Sequence, residues 1–211
     1  MKYPNFLEEK KLWGRGYKLV AGLDEVGRGP LAGPVVAAAV IFDGIFNPGK
    51  LKIQDSKKLS AKQRQEAFNV LTGHKSVRWG IGKVSEKIID KINILEATKL
   101  AMSKALKDLG SKTDYLILDG NFKIYSSVPQ KSVVKGDMKV FSCAAASIIA
   151  KVTRDRIMEG YDRKYPCYGF KKHKGYGTAF HIKVLAGTGP CLIHRKSFLS
   201  RILPEGKKKP L

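Results

Sequence analysis

The sequence predicts an α/β fold on three observations. Val35 to Phe42 is an unbroken run of eight apolar residues, as expected of a strand covered on both faces. Ile88, Ile92, Leu95, Met102, Leu106 and Leu109 recur at three-, four- and seven-residue steps before Gly110, the pattern of a long helix with a glycine stop. Strand-like and helix-like segments then follow one another from Lys18 to Ala186, with neither an internal repeat nor a clear linker.

Taken in order, residues 1–17 read as an amphipathic lead-in with a helix around Phe6 to Trp13. Two strands follow, Leu19–Asp24 and Val35–Phe42, divided by a turn rich in glycine and proline. Lys50–Leu59 reads as a basic loop, Ser60–Leu71 as a short helix and Ser76–Val84 as a third strand. Ser85, followed by Glu86, stands where the long helix needs an N-cap. Tyr115–Leu118 and Ser132–Val134 are short strands, the first running into Asp119-Gly120-Asn121 and the second ending near Asp137. An alanine-rich helix spans about Met138 to Tyr161, its small residues suited to close packing. Beyond Tyr165-Pro166 the chain turns basic and loop-rich, becomes helical again over Thr178–Ala186, and ends in a lysine tail at Pro204–Leu211.

Composition narrows the function. The chain has 211 residues, 43% of them hydrophobic, which suits one domain with a proper core. Forty lysines and arginines against 18 acids give a formal net charge of +22. So large a charge resists compaction and points to a polyanionic partner, nucleic acid above all. Cys143, Cys167 and Cys191 form no CxxC pair, which disfavours structural zinc and fits a reducing compartment. No apolar run at the amino terminus resembles a signal peptide, and none elsewhere reaches membrane-spanning length. A cytoplasmic protein without a membrane partner is expected. A GxxxxGK[ST] loop, a GxSxG elbow and any ligand spacing among His74, His173, His181 and His194 are absent, which argues against an NTPase, a serine hydrolase and a zinc peptidase.

The chemistry concentrates in Val20 to Pro30. Asp24 and Glu25 are adjacent carboxylates in an otherwise apolar, glycine-rich segment, and burying unpaired charge costs several kcal/mol in practice. Gly27 and Gly29 permit close approach of a backbone, and Arg28 between them is a phosphate-binding cation. Strand alternation sends Asp24 and Glu25 to opposite faces, so both serve one site only where the strand ends or bulges. Asp119 and Asp137 stand at two further strand ends, where ligands of α/β sheets gather. Each also has a plain structural reading, Asp119-Gly120 as a turn and Asp137 as a helix N-cap. Asp155, set among basic residues in a helix, suits an intrahelical ion pair. Asp55 suits a cap beside the Lys57-Lys58 pair. Several carboxylates that can converge are the donor set of a hard cation such as Mg²⁺, and beside a phosphate-binding loop they suggest metal-assisted phosphodiester chemistry. Tyr168 to Thr178 interleaves aromatics with lysines, a pattern shared by nucleic-acid grooves and by basic loops whose rings are buried.

Six segments in order resemble the ribonuclease HII family: Gly22–Pro34, Asp55–Ser60, Leu118–Asn121, Val134–Asp137, Ala144–Asp155 and His173–Tyr176. The resemblance covers about Ala21 to Phe198 and implies an RNase H-like fold, a mixed sheet flanked by helices with a helical carboxyl-terminal extension from about residue 166. It implies a catalytic domain at 18–198, between a lead-in at 1–17 and a basic tail at 199–211. It assigns the metal-site acids to Asp24, Glu25, Asp119 and Asp137, a 2′-hydroxyl and phosphate contact to Gly27, Arg28 and Gly29, and a substrate-reading ring to Tyr176. The implied activity is two-metal hydrolysis with Mg²⁺ or Mn²⁺, cutting the RNA strand of RNA–DNA hybrids and the 5′ side of ribonucleotides in duplex DNA. It leaves 3′-hydroxyl and 5′-phosphate ends. A monomer is expected. The rivals are a resolvase-like DNA nuclease of the same fold and a binding protein whose acids merely cap turns.

Overall fold

The computed structural model describes residues 3–44, 46–49, 53, 59–200 and 202. Five strands, β1 (Val20–Val26), β2 (Val35–Phe42), β3 (Val77–Val84), β4 (Tyr115–Asp119) and β5 (Gln130–Val133), form one sheet in the order β3-β2-β1-β4-β5. The first three pair antiparallel as a meander, while β4 and β5 add to β1 in parallel. The sheet is therefore mixed, with β1 at the junction between its two halves.

β2 shows why its eight residues carry no polar group. Val36, Ala38, Val40 and Phe42 face a core completed by helix α4 (Phe141–Lys164), while Val35, Ala37, Ala39 and Ile41 face a second core under helix α3 (Glu86–Leu109). The small residues of α4 let it lie close on β1. A Cβ on Gly22 would come within 2.5 Å of the Ser142 backbone, so the β1–α4 contact requires glycine there. Helix α2 (Ala61–Gly73) begins with a reciprocal capping box between Ser60 and Gln63 and buries Ala67 and Leu71 in the α4-side core. The short helices α5 (Phe170–His173), α6 (Ala179–Thr188) and α7 (Lys196–Leu199) form the carboxyl-terminal extension around Tyr168, Phe170, Leu185 and Ile193.

Three local expectations change. The long helix is two helices meeting at Asn93, whose φ of 65° and ψ of 168° break the spiral; its side chain accepts the amides of Leu95 and Glu96 and so caps the second segment. Ser85 occupies the N-cap position of α3 but its side chain makes no cap hydrogen bond. Asp137 is not the N-cap of α4, a place taken by Val140; it lies in a separate 3₁₀ turn, Gly136–Met138. Most of the basic loop Lys50–Leu59, including Asp55 to Lys58, and the tail Pro204–Leu211 lie outside the described residues. Among the described residues no helix is long and apolar enough to cross a membrane.

The lead-in joins the sheet-flanking layer through helix α1 (Leu7–Trp13). Leu12 is buried with Val20, Ile117, Val140 and Cys143, and Phe6 packs on Phe141 with ring centroids 4.3 Å apart.

Candidate active site

Parallel pairing of β1 with β4 sets Leu23 opposite Leu118, which brings Asp24 level with Asp119. The strand neither ends nor bulges at the acids, contrary to the requirement drawn from alternation. Its ladder with β2 is regular from Ala21↔Ile41 to Val26↔Val36. The two carboxylates meet for another reason: β4 stops at Asp119, so past that level β1 has a neighbour on one side only. A cavity of about 500 Å³ opens off the end of β4, lined by Asp24, Glu25, Asp119, Asp137, Lys151 and Tyr176, with Val26 and Ser147 at its wall. All four expected acids are brought together.

Each acid is held differently. Asp24 is 5% exposed, accepts the Glu25 amide at 2.7 Å and is hydrogen-bonded by the Ser147 hydroxyl. Burial, then the Glu25 and Asp119 carboxylates, push its proton affinity well above the usual carboxylate range, against the pull of Ser147. Burial also raises Glu25, while Arg28, 3.3 Å away, draws it down. Asp119 accepts the Gly136 amide at 2.8 Å, which fastens the Asp137 turn to the end of β4. That turn is entered through Lys135 in the left-handed region (φ 58°).

These donors fit a hard divalent cation. They are oxygens only, they repel one another, and Glu25 Oε2 is buried without a hydrogen-bond partner. Among the described residues no group of three or more His, Cys, Asp or Glu side chains stands close enough together to hold an ion as placed. The carboxylates instead stand around an open cavity.

The Gly27–Gly29 loop is shaped by two arginines that the sequence reading passed over. Arg195 is fully buried and donates to the carbonyls of Gly27 (2.6 Å), Arg28 (2.9 Å) and Gly33 (2.8 and 3.0 Å). Arg154, also fully buried, donates to Pro34, Ala32 and Lys174 carbonyls at 2.9–3.1 Å. Neither has a carboxylate within ion-pair distance among the described residues. In a trans peptide the N–H points opposite the C=O. With the Gly27 and Arg28 carbonyls drawn toward Arg195, the Arg28 and Gly29 amides face away from it on an exposed stretch. Among the described residues neither amide donates to another protein group. Successive outward amides of this kind form an anion-binding concavity. Gly27 is required for a second reason: its φ is 94°, and a Cβ would stand 2.7 Å from Arg154 Cδ and 2.8 Å from the Pro34 carbonyl.

Tyr176 completes the rim at 42% exposure, its ring beside Gly29. Its carbonyl is held by His181 Nδ1 at 2.9 Å, and His181 meets His194 through their Nε2 atoms at 3.0 Å. The four histidines showed no ligand spacing in sequence; buried His181 and His194 form a brace beneath the tyrosine, with half-buried His173 stacked on His181. Tyr168 and Phe170 are core residues, so only part of the aromatic–lysine stretch faces the site. Asp155 makes the expected ion pair, at 2.8 Å, with Lys151. Ser147, Lys151 and Asp155 are a polar i, i+4 stripe whose first member stands in the apolar stretch Cys143–Ala150, a signal that could have marked this face.

Comparison with known proteins identifies the family and the fold. The family model for ribonuclease HII matches residues 21–201. Ribonuclease HII of Acetivibrio thermocellus is 53% identical over 196 residues, covering 92% of this chain and 75% of that protein. Ribonuclease HII of Geobacter metallireducens is 49% identical over 208 residues, 94% of this chain and 96% of the relative. The crystal structure of ribonuclease H2 from Pyrococcus horikoshii aligns with a TM-score of 0.69 at 31% identity, over 84% of this chain and 92% of that one. The chain belongs to the ribonuclease HII family and is an endoribonuclease of the RNase H type.

Proposed function

We propose that the cavity at the end of β4 hydrolyses the phosphodiester on the 5′ side of a ribonucleotide, both in RNA–DNA hybrids and at ribonucleotides embedded in duplex DNA. Hydrolysis of the RNA strand of hybrids comes with the family. The 5′ polarity, the embedded-ribonucleotide activity and the residue roles are what the resemblance to the family implies for this site. One observation supports them: four carboxylates and an exposed tyrosine line one cavity, and the outward Arg28 and Gly29 amides lie on the loop beside that tyrosine. Asp24, Glu25, Asp119 and Asp137 would hold two Mg²⁺ or Mn²⁺ ions. Such ions, when bound, supply activation of a water and neutralise charge at the leaving 3′-oxygen.

The chain's own residues do the recognition. The Arg28 and Gly29 amides and the Arg28 guanidinium face the 2′-hydroxyl and the phosphate, and the 2′-hydroxyl is what distinguishes RNA from DNA. Tyr176 stacks on the sugar beyond the cut. Ser147 keeps Asp24 oriented, and Lys151, ion-paired with Asp155, lines the same cavity. The remaining lysines hold the duplex by its phosphates without reading sequence, which accounts for the net charge of +22. The enzyme acts as a monomer in the cytoplasm.

The test is an end-labelled DNA duplex with one ribonucleotide, incubated in Mg²⁺ or in EDTA beside an all-DNA control. A single metal-dependent cut 5′ of the ribonucleotide, leaving 3′-hydroxyl and 5′-phosphate ends, supports the reading. Cutting of the all-DNA duplex, or an intact ribonucleotide duplex beside a cleaved hybrid, refutes it.

A further inference from the structure

The lead-in, Tyr3 to Tyr17, lies before the stretch matched by the family model, which begins at residue 21. Its contacts converge on one place, the chain between the Asp137 turn and α4. The Asn5 amide donates to the Lys139 carbonyl at 3.2 Å, and the Phe141 amide donates to the Asn5 carbonyl at 3.1 Å. Glu9, 1% exposed, accepts both the Ser142 amide at 2.9 Å and the Ser142 hydroxyl at 2.7 Å through one oxygen. Lys139 is two residues past Asp137, and Phe141 and Ser142 open α4.

α4 needs this help. Its N-cap residue, Val140, has no side-chain acceptor, and the Phe141 and Ser142 amides of the first turn are satisfied from outside, by Asn5 and Glu9. The helix so fixed carries Ser147, which bonds Asp24, and Lys151 on the cavity wall. It also rests on β1 at Gly22, two residues before Asp24. The lead-in thus anchors the segment that leaves Asp137 and the helix that supports Asp24.

Stability alone is a poor account of Glu9. Its second oxygen, Oε2, is buried with no hydrogen-bond partner, and a half-satisfied buried acid adds less than an apolar contact of the same size. Geometry gives the carboxylate another use. It joins α1 to the first turn of α4, five residues past Asp137.

We propose that Glu9 is a positioning residue for the divalent-cation site: by capping α4 from the lead-in, it sets the spacing between Asp137 and the Asp24–Asp119 pair. The proposal rests on the reading that these acids hold metal. It touches neither metal nor substrate and acts through Ser142 and the turn beside it.

Mn²⁺ binding to the full chain, followed by the electron paramagnetic resonance signal of free Mn²⁺, tests it without turnover. Partners outside the ligand set change metal affinity by about 10–100-fold when they contact a ligand, so Glu9→Ala, one step further out, is expected to weaken binding by about 3- to 10-fold. Glu9→Gln keeps an acceptor for Ser142 and is expected to restore binding to within about twofold. At saturating Mn²⁺ the KM for a hybrid substrate should be unchanged in Glu9→Ala. A lower melting temperature with unaltered Mn²⁺ affinity would overturn the proposal and leave a merely structural cap. If Glu9→Ala does not fold, Ser142→Ala removes only the hydroxyl donor, and the same loss of affinity, smaller in size, is required of it. Asp137→Asn separates the two claims: unchanged Mn²⁺ binding there sinks the metal reading itself, whereas a loss in Asp137→Asn without one in the Glu9 variant sinks this proposal alone.

Discussion

Replacing Arg195 by alanine should be among the most destabilising single changes in the chain. Its guanidinium is fully buried and satisfies three backbone carbonyls, those of Gly27, Arg28 and Gly33. Leaving a buried acceptor unpaired costs about 1–3 kcal/mol, so three bracket a loss of about 3–9 kcal/mol. Two effects pull toward the lower end. Burial and the nearby Arg154 push the Arg195 pKa down to about 9, so the charge is held at a cost that the mutation removes. Arg28 is also exposed, and its carbonyl can turn to water. A net loss of about 3–4 kcal/mol results, a large share of the roughly 5–15 kcal/mol that holds a domain together. Urea unfolding at pH 7 measures it. Arg195→Lys keeps the charge, but an ammonium lacks the planar fork that spans three acceptors, so its loss should be intermediate. A loss below about 1 kcal/mol in the alanine variant, or a lysine variant as stable as the parent, would refute the claim that this guanidinium sets the loop.

Other outcomes follow from the same geometry. Asp24→Asn should abolish cleavage and yet stabilise the metal-free protein by about 1–3 kcal/mol, because it removes a desolvated charge from beside two others. The wild-type penalty exists above the raised pKa and fades as pH falls through it, so the gain in urea midpoint should be larger at pH 8 than at pH 5; a variant no more stable than its parent contradicts this. His181 and His194 are both held down to about 4 by burial, so their neutral forms favour the fold above pH 6.5. That contribution, up to about 3 kcal/mol each, is lost as pH falls from 6.5 toward 4, and His194→Asn should flatten the stability curve over that window. An unchanged slope would contradict it. Tyr176→Ala should lower cutting at a single embedded ribonucleotide more than cutting of a long hybrid, with little change in melting temperature. Equal loss on both substrates would show that the ring does not read the junction.

Much of this was legible in the sequence because it depends on local pattern. β2 could be read from eight apolar residues, and α2 from Ser60 with Gln63. Asp24 and Glu25 stood out as charges where a buried strand has none. Their convergence was not legible, since it depends on β4 stopping at Asp119, a property of the pairing between distant strands. Arg154 and Arg195 were invisible for a related reason. A buried arginine that bonds only carbonyls looks in sequence like any other basic residue, and here 40 lysines and arginines hide the two. Asn93 was lost because apolar periodicity continues across the kink, although asparagine tolerates a positive φ better than most residues. Glu9 belonged to a lead-in that reads as a surface helix, and only its contact with Ser142, 133 positions away, shows otherwise.

The most direct measurement is cleavage of an end-labelled RNA–DNA hybrid in Mg²⁺ by the parent enzyme and by Asp119→Asn, with melting curves to show that both are folded. The account predicts metal-dependent cutting by the parent and a rate at least about 1,000-fold lower in the folded variant, since one ligand of the catalytic ions is gone. A folded Asp119→Asn enzyme that cuts within about tenfold of the parent would mean that the cavity at the end of β4 is not where the reaction occurs.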